Sequence, residues 1–337
     1  MKVKEQIHEK NYSLYNGDCM EVLPTFEDES IDLCIYSPPF ANLYTYSSSE
    51  RDMSNVSGND EFLQQFEYLV KELSRVIKKG RINALHVTDF GDIAGTLKDF
   101  PAEIIKLYQK HGFEFKNRIT IWKEPLKVRI KTMVQSLMHK YIVEDSTKCF
   151  PANPDYILLF KKKGENEVPV THKFGLQNYA GARPILEEML TPWNNYKENP
   201  KFKTTTELWD YLDTQKGEKK ITKRNYYIWQ RYASGVWDDI RPGNCLNFKD
   251  SKEEDDEKHV TPTQLDVLDR LVDLYSNPNE IVFSPFMGVG SDVFSPLSMG
   301  RKAIGVELKD SYFKQAKLNV KTAEQRFKDK LEQKELF

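Results

Sequence analysis

Two short stretches of this chain combine backbone restraint with side chains able to do chemistry. In Ser284-Pro285-Phe286-Met287-Gly288-Val289-Gly290-Ser291, the glycines let the backbone pass close to a ligand, and a helix beginning at Ser291 would offer free N–H groups. The apolar run after it, Ala303-Ile304-Gly305-Val306, ends in Glu307. A carboxylate at the end of the second strand of such a unit can accept both hydroxyls of a ribose. The second stretch is Ser37-Pro38-Pro39-Phe40. Consecutive prolines hold φ at about −65° and supply no N–H, so they aim neighbouring carbonyls and side chains rigidly. Phe40 adds a flat face on which a planar ring can stack. Taken singly, each has a plain alternative: a tight strand–helix turn beside a surface glutamate, and a proline-stiffened loop.

Elements must carry both stretches to one place. Residues 31–36 form an apolar run of strand length stopped by Ser37-Pro38-Pro39, and residues 12–15 and 20–26 read as a short strand and a short helix around the turn Asn16-Gly17-Asp18. Apolar residues at helical spacing over 60–79 predict a helix, with Gly80 in the place of its C-terminal cap. Further strands are expected at 82–88, 114–122, 156–160, 280–283 and 303–307, and helices at 100–112, 261–275 and 291–299, with a charged helix at the C-terminus. Strands alternating with helices imply an α/β fold with a mostly parallel sheet covered on both faces. Ligands then gather at the carboxyl ends of the strands, where both stretches lie.

Residues 165–245 break this rhythm. They are rich in Asn, Lys, Thr, Trp and Tyr, with one expected helix at 206–212. The acidic run 249–258 reads as a loop. The division is therefore 1–164, 165–245 and 246–337.

Bulk composition narrows the classes. The 337 residues are 39% hydrophobic and 12% aromatic, enough for a packed core. No apolar run reaches the roughly 18 residues of a membrane span, and Met1-Lys2-Val3-Lys4 opens no signal peptide. The four cysteines, Cys19, Cys34, Cys149 and Cys245, form no C-x-x-C pair, so structural zinc and a disulfide framework are not expected and a cytoplasmic location is. A net charge of −2 makes no global case for nucleic acid. Locally, Lys116, Arg118, Lys123, Lys127, Arg129, Lys131 and Lys140 are opposed only by Glu124, a pattern that suits phosphates or an ordinary solvated face.

Together the motifs resemble those of the DNA amino-methyltransferases that act on N4 of cytosine or N6 of adenine. Ser-Pro-Pro-Phe is similar to their catalytic tetrapeptide, and Ser-Pro-Phe-Met-Gly-Val-Gly-Ser to their Asp-Pro-Phe-x-Gly-x-Gly loop for S-adenosylmethionine. Further matches are Asn16-Gly17-Asp18-Cys19 with Ile31-Asp32, residues 112–123, Val236-Trp237-Asp238-Asp239-Ile240, and Gly300-Arg301 through Glu307. The tetrapeptide precedes the cofactor loop, the order of the beta permutation class. The resemblance implies a Rossmann-like S-adenosylmethionine-dependent methyltransferase fold, circularly permuted, with an inserted target-recognition region at 165–245.

It also implies roles. Ser37, Pro38, Pro39 and Phe40 are the catalytic residues, the hydroxyl and the Pro38 carbonyl drawing the amine's protons while Phe40 stacks on a base flipped from the duplex. Asp18, Ser284, Pro285, Phe286, Gly288, Gly290, Ser291, Glu307 and Thr263 are the expected cofactor residues. Lys127, Arg129, Lys131, Lys219, Lys220, Lys223, Arg224 and Arg231 are the expected contacts to double-stranded DNA, although the aromatics around Asn225-Tyr226-Tyr227 and Trp229-Gln230-Arg231-Tyr232 could equally be core. No metal is expected. Serine at the head of the tetrapeptide favours N4 of cytosine over N6 of adenine. Carbon-5 chemistry is disfavoured because no Pro-Cys dipeptide occurs. Two departures stand out: Ser284 replaces the family's acid, and the lysine usual in the helix before the loop is missing around Thr263. They leave open a DNA-binding protein on a decayed scaffold. RNA or protein amines, a homodimer and a separately acting restriction endonuclease also remain open.

Overall fold

The structure, a computed structural model, describes residues 3–39, 59–91, 96–173, 175–182, 194–195, 201–214, 223–248 and 262–335. Nine strands form one sheet. In chain order these are β1 Glu5–His8, β2 Tyr12–Asn16, β3 Ile31–Tyr36, β4 Ile77–Thr88, β7 Phe113–Ile121, β8 Asp155–Lys162, β9 Val236–Trp237, β10 Ile281–Ser284 and β11 Lys302–Glu307; Phe90–Gly91 (β5) and Leu97–Lys98 (β6) pair separately. The sheet order is β1-β2-β11-β10-β3-β4-β8-β7-β9. The run from β2 to β4 is parallel, β8 is antiparallel to both its neighbours, and β1 is antiparallel to β2.

Every residue of β3 is buried, which is why it reads as a continuous apolar run and not an alternating one. Cys34 and Tyr36 face a layer built from α1 (Cys19–Val22), α2 (Asn59–Val76) and α3 (Phe100–Lys110), while Leu33 and Ile35 face α8 (Leu265–Tyr275), α9 (Ser291–Leu297) and α10 (Asp310–Glu335). Between these groups come α4 (Pro125–Thr132), α5 (Lys140–Glu144), α6 (Thr205–Thr214) and α7 (Lys223–Tyr232).

The position of β10 sets the site. The chain leaves β10 through α9 to β11 on one side, and leaves β3 through α2 to β4 on the other. Connections diverge there, so the crevice above the carboxyl ends of β10 and β3 is the switch point where α/β sheets bind ligands. Polar bonds lock the opposite ends of the same strands. Arg81 donates through Nε to the Asp32 carbonyl at 2.8 Å and also bonds Glu280, and the Ile281 N–H donates to Asp32 at 2.9 Å.

Several expectations change. The helix predicted to 79 stops at Val76, and β4 starts at once. Gly80 is not a cap: it lies where the β3–β4 register shifts, at φ +72°, and an added Cβ would strike the Asn166 backbone at 2.5 Å. The predicted helix from 261 begins at Leu265. Helices α4, α5 and α7 were not expected, nor was β1. The acidic run 249–258 lies outside the described residues.

Candidate active site

A cleft of about 490 Å³ opens at the switch point. It is lined by Ser37, Pro38 and Pro39 after β3, by Pro285, Phe286, Gly288 and Ser291 after β10, by Glu307 at the end of β11, and by Asp18 and Thr263. Residues far apart in the chain are thus brought to one cleft. Phe40 lies outside the described residues.

Local geometry explains each placement. Asp18 caps α1 by accepting the Met20 N–H at 2.9 Å. The Gly17 N–H donates to the Glu307 carbonyl at 3.0 Å, which sets Asp18 beside Glu307. Glu307 accepts the Gly288 N–H at 2.9 Å and the Lys309 N–H at 2.8 Å, one on each carboxylate oxygen. Gly288 has φ +54° and a Cβ there would meet nothing within 4 Å, so the backbone turns its bare face to the cleft. Gly290, at φ +91°, does not line the cleft; it faces α10, where an added Cβ would come within 3.1 Å of Ala316. Phe286 packs on Tyr36 with ring centroids 5.7 Å apart.

Ser284 also stands behind the cleft wall. It is buried, and its hydroxyl donates to Asp292 Oδ2 at 2.8 Å. Asp292 itself lines the cleft. Burial pushes its carboxyl up to about 7, against the opposing hydrogen bond from Ser284. The Ser291 Oγ is buried and has no hydrogen-bond partner among the described residues.

The Ser37 hydroxyl donates to the His86 carbonyl at 3.0 Å. Its proton is thereby committed to the main chain and its lone pairs stay available as acceptors. The His86 ring also lines the cleft, 3.3 Å from Asp155, which Lys123 approaches at 2.5 Å on its other oxygen. Burial alone would raise the Asp155 carboxyl, but the His86 ring and the Lys123 ammonium hold it down at about 2. Cys19 is the one cysteine at the cleft among the described residues, and burial pushes its thiol far up, away from the nucleophilic thiolate.

Of the expected DNA contacts, Lys127 and Lys131 share a face of α4 that lines the cleft, and Glu124 caps that helix. Arg129 turns elsewhere, to the Met133 sulfur at 3.4 Å. Lys223 and Arg224 open α7. Arg231 on the same helix is held by Asp238 at 2.5 Å, and the Tyr232 hydroxyl donates to Asn178 at 2.8 Å inside a small core with Leu176 and Ile228. Lys219 and Lys220 lie outside the described residues. His86, Asp155 and Asp292 were not singled out from the sequence. Asp292 alone had a signal there, sitting directly after the glycine loop.

The cleft thus joins a glycine loop, an acid at the end of the next strand and a proline-braced serine at the switch point of the sheet. The family model for DNA methylases of the N6/N4 type matches residues 31–318, and the chain belongs to that family. It is similar to the type II methyltransferase M.BglII of Bacillus subtilis, 21% identical over 303 residues that cover 89% of this chain and 66% of the relative. In fold it resembles the TTHA0409 protein of Thermus thermophilus complexed with S-adenosyl-L-methionine, with a TM-score of 0.57, 20% identity and 93% and 96% of the two chains covered. The PvuII cytosine-N4-specific DNA methyltransferase gives a TM-score of 0.57 at 14% identity, covering 97% and 96%. No helix among the described residues is long and apolar enough to cross a membrane.

Proposed function

We propose that the chain is an S-adenosylmethionine-dependent DNA methyltransferase that methylates the exocyclic N4 of a cytosine flipped from the duplex. The observation that carries this reading is the apposition of Ser37 with the glycine loop across the switch point, its hydroxyl proton held by the His86 carbonyl. The residues present fit the cofactor. Gly288 turns a bare backbone to the cleft, Ser291 has a buried hydroxyl without a partner among the described residues, and each Glu307 oxygen can accept a ribose hydroxyl in addition to its backbone N–H. When bound, S-adenosylmethionine supplies an electrophilic methyl on its sulfonium.

The chain's own part is positioning. An exocyclic amine is a poor nucleophile because its lone pair is conjugated with the ring. Ser37 Oγ and the Pro38 carbonyl accept its two protons and draw the nitrogen toward a pyramidal geometry, with Phe40 assigned to stack on the base. Because Ser37 donates to His86, it acts as an acceptor only. The choice of cytosine therefore rests on the Ser-Pro-Pro-Phe resemblance, not on a hydroxyl donated to cytosine N3.

Target recognition is assigned to residues 165–245, and phosphate contact to Lys127 and Lys131 at the cleft mouth. The order of the two motifs corresponds to the beta permutation class. A restriction endonuclease of matching specificity, acting separately, and a homodimer belong to the same reading. Exposed apolar side chains at Leu126, Ile130, Ile142, Val143 and Phe150 support the dimer. Incubation with mixed-sequence duplex DNA and S-adenosylmethionine, followed by digestion and mass spectrometry of the nucleosides, should yield N4-methylcytosine. N6-methyladenine would keep the mechanism and reverse the base. Neither product from folded protein would overturn the reading in favour of a DNA-binding protein on a decayed scaffold.

A further inference from the structure

Position 284 holds a serine where the resembling loops hold an acid, and the structure sets a second carboxylate directly against that serine. Asp292 lies eight residues beyond Ser284, is 6% exposed and lines the cleft. Its hydrogen bond is the one from Ser284 Oγ, and among the described residues no salt bridge reaches it. A buried carboxylate without a cation costs free energy that the fold has no local reason to spend. Among the described residues its neighbours do not provide one: Cys34 on β3 is the titratable side chain near enough to feel its charge.

Place in the sheet narrows what the missing cation is. Ser284 ends β10, which lies between β11, bearing Glu307, and β3, which leads to Ser37. Strands lie about 4.8 Å apart, so the Ser284–Asp292 pair stands between the acid that suits a ribose and the serine that suits an amine. Glu307 would hold the ribose of an adenosyl ligand, and the Ser284–Asp292 pair would then be within reach of the ligand's amino-acid end. Resting on the functional reading above, we propose that Asp292 is the carboxylate that receives the α-ammonium group of S-adenosylmethionine, with Ser284 as its positioning residue. Asp292 thereby supplies, through its bond to Ser284, the negative charge that position 284 lacks. Acids at both would crowd two like charges into one buried space, and one would have to stay protonated. An ammonium offers three donors, enough to use the carboxylate and a carbonyl of the loop together.

The test is calorimetric titration at pH 8 of the wild type, Asp292→Asn, and the double variant Ser284→Asp/Asp292→Ser. The ligands are S-adenosylmethionine, S-adenosylhomocysteine, which keeps the ammonium, and 5′-methylthioadenosine, which lacks the whole amino-acid end. Asp292→Asn should lose about 10- to 100-fold in affinity for the first two and stay within about twofold for the third. Without ligand it should melt no lower than the wild type, since it removes an unpaired buried charge. The double variant should recover a large part of the loss. Unchanged affinity for the two amino-acid ligands would overturn the proposal. An equal loss for all three with a lowered melting temperature would do so too, by making Asp292 structural. If 5′-methylthioadenosine binds too weakly to read, the melting temperature decides. A folded wild type that binds none of the three fails the functional reading itself, which is distinct from a wild type that binds and a variant that binds equally well.

Discussion

At Ser37 the hydroxyl proton is held by the His86 carbonyl, so removing the oxygen takes an acceptor from the site and little from the fold. Ser37→Ala should lower kcat at least about tenfold, roughly 1.4 kcal/mol of barrier, with cofactor affinity unchanged. Equal loss of turnover and cofactor binding would remove Ser37 from the chemistry. Asp155 makes a second prediction. Its carboxyl is held at about 2 in the folded chain, below its ordinary 3.8. A group lowered in this way stabilises the fold above the unfolded value and ceases to as pH falls through the folded one. The contribution, about 2 kcal/mol, is therefore present at pH 5 and vanishes between about pH 4 and 2. Urea unfolding across that range should show a pH slope in the wild type that flattens in Asp155→Asn; identical slopes would mean the carboxyl is not held. Ser37 and the glycine loop were visible in the sequence because prolines and glycines restrain the backbone wherever they occur. His86 and Asp155 were not, because their chemistry arises only where β4 and β8 pair and bring them side by side.

Among elements, α7 and α8 show how the 165–245 segment is fastened. Arg270 of α8 is fully buried, donates to the Ala180 carbonyl and to Asp239 at 2.7 Å each, and lies near the rings of Tyr179, Tyr232 and Trp237. Arg270→Ala would leave the buried Asp239 with Arg231, 3.4 Å away, as its remaining cation among the described residues, and should cost roughly 3 kcal/mol in denaturant unfolding. A loss below about 1 kcal/mol would mean that the pair does not hold the segment. Strands β3, β8, β10 and β11 were readable as apolar runs because both their faces are buried. Helix α7 was missed for the opposite reason. Its Ile228 and Tyr232 pack inward while Trp229 is exposed, and no apolar stripe of ordinary width marks it among the basic and aromatic residues. Those aromatics divide between the two readings given to them, with Tyr232 in the core and Trp229 outside. On α4, Lys127 and Lys131 face the cleft together. Changing both to Gln should reduce the steepness of DNA affinity against salt by about two units on logarithmic axes, with little effect on which base is methylated. An unchanged slope would take the phosphate role from α4.

Across the whole molecule, the two halves of the cleft come from opposite ends of the chain, and motif order alone could not reveal that they adjoin. That was settled by pairing: β10 with β3, and β11 with β2. The pairing has a consequence for how the protein comes into being. β2 and β3 follow one another in sequence, yet two strands from residues 281–307 lie between them. Until those residues leave the ribosome, β2 and β3 must each present an unpaired edge in what will become the middle of the sheet. Such edges invite pairing with other chains. A stalled or shortened chain ending before residue 281 is therefore expected to depend on chaperones and to accumulate in inclusion bodies. Release of the last strands would close the sheet and complete the cleft in one step.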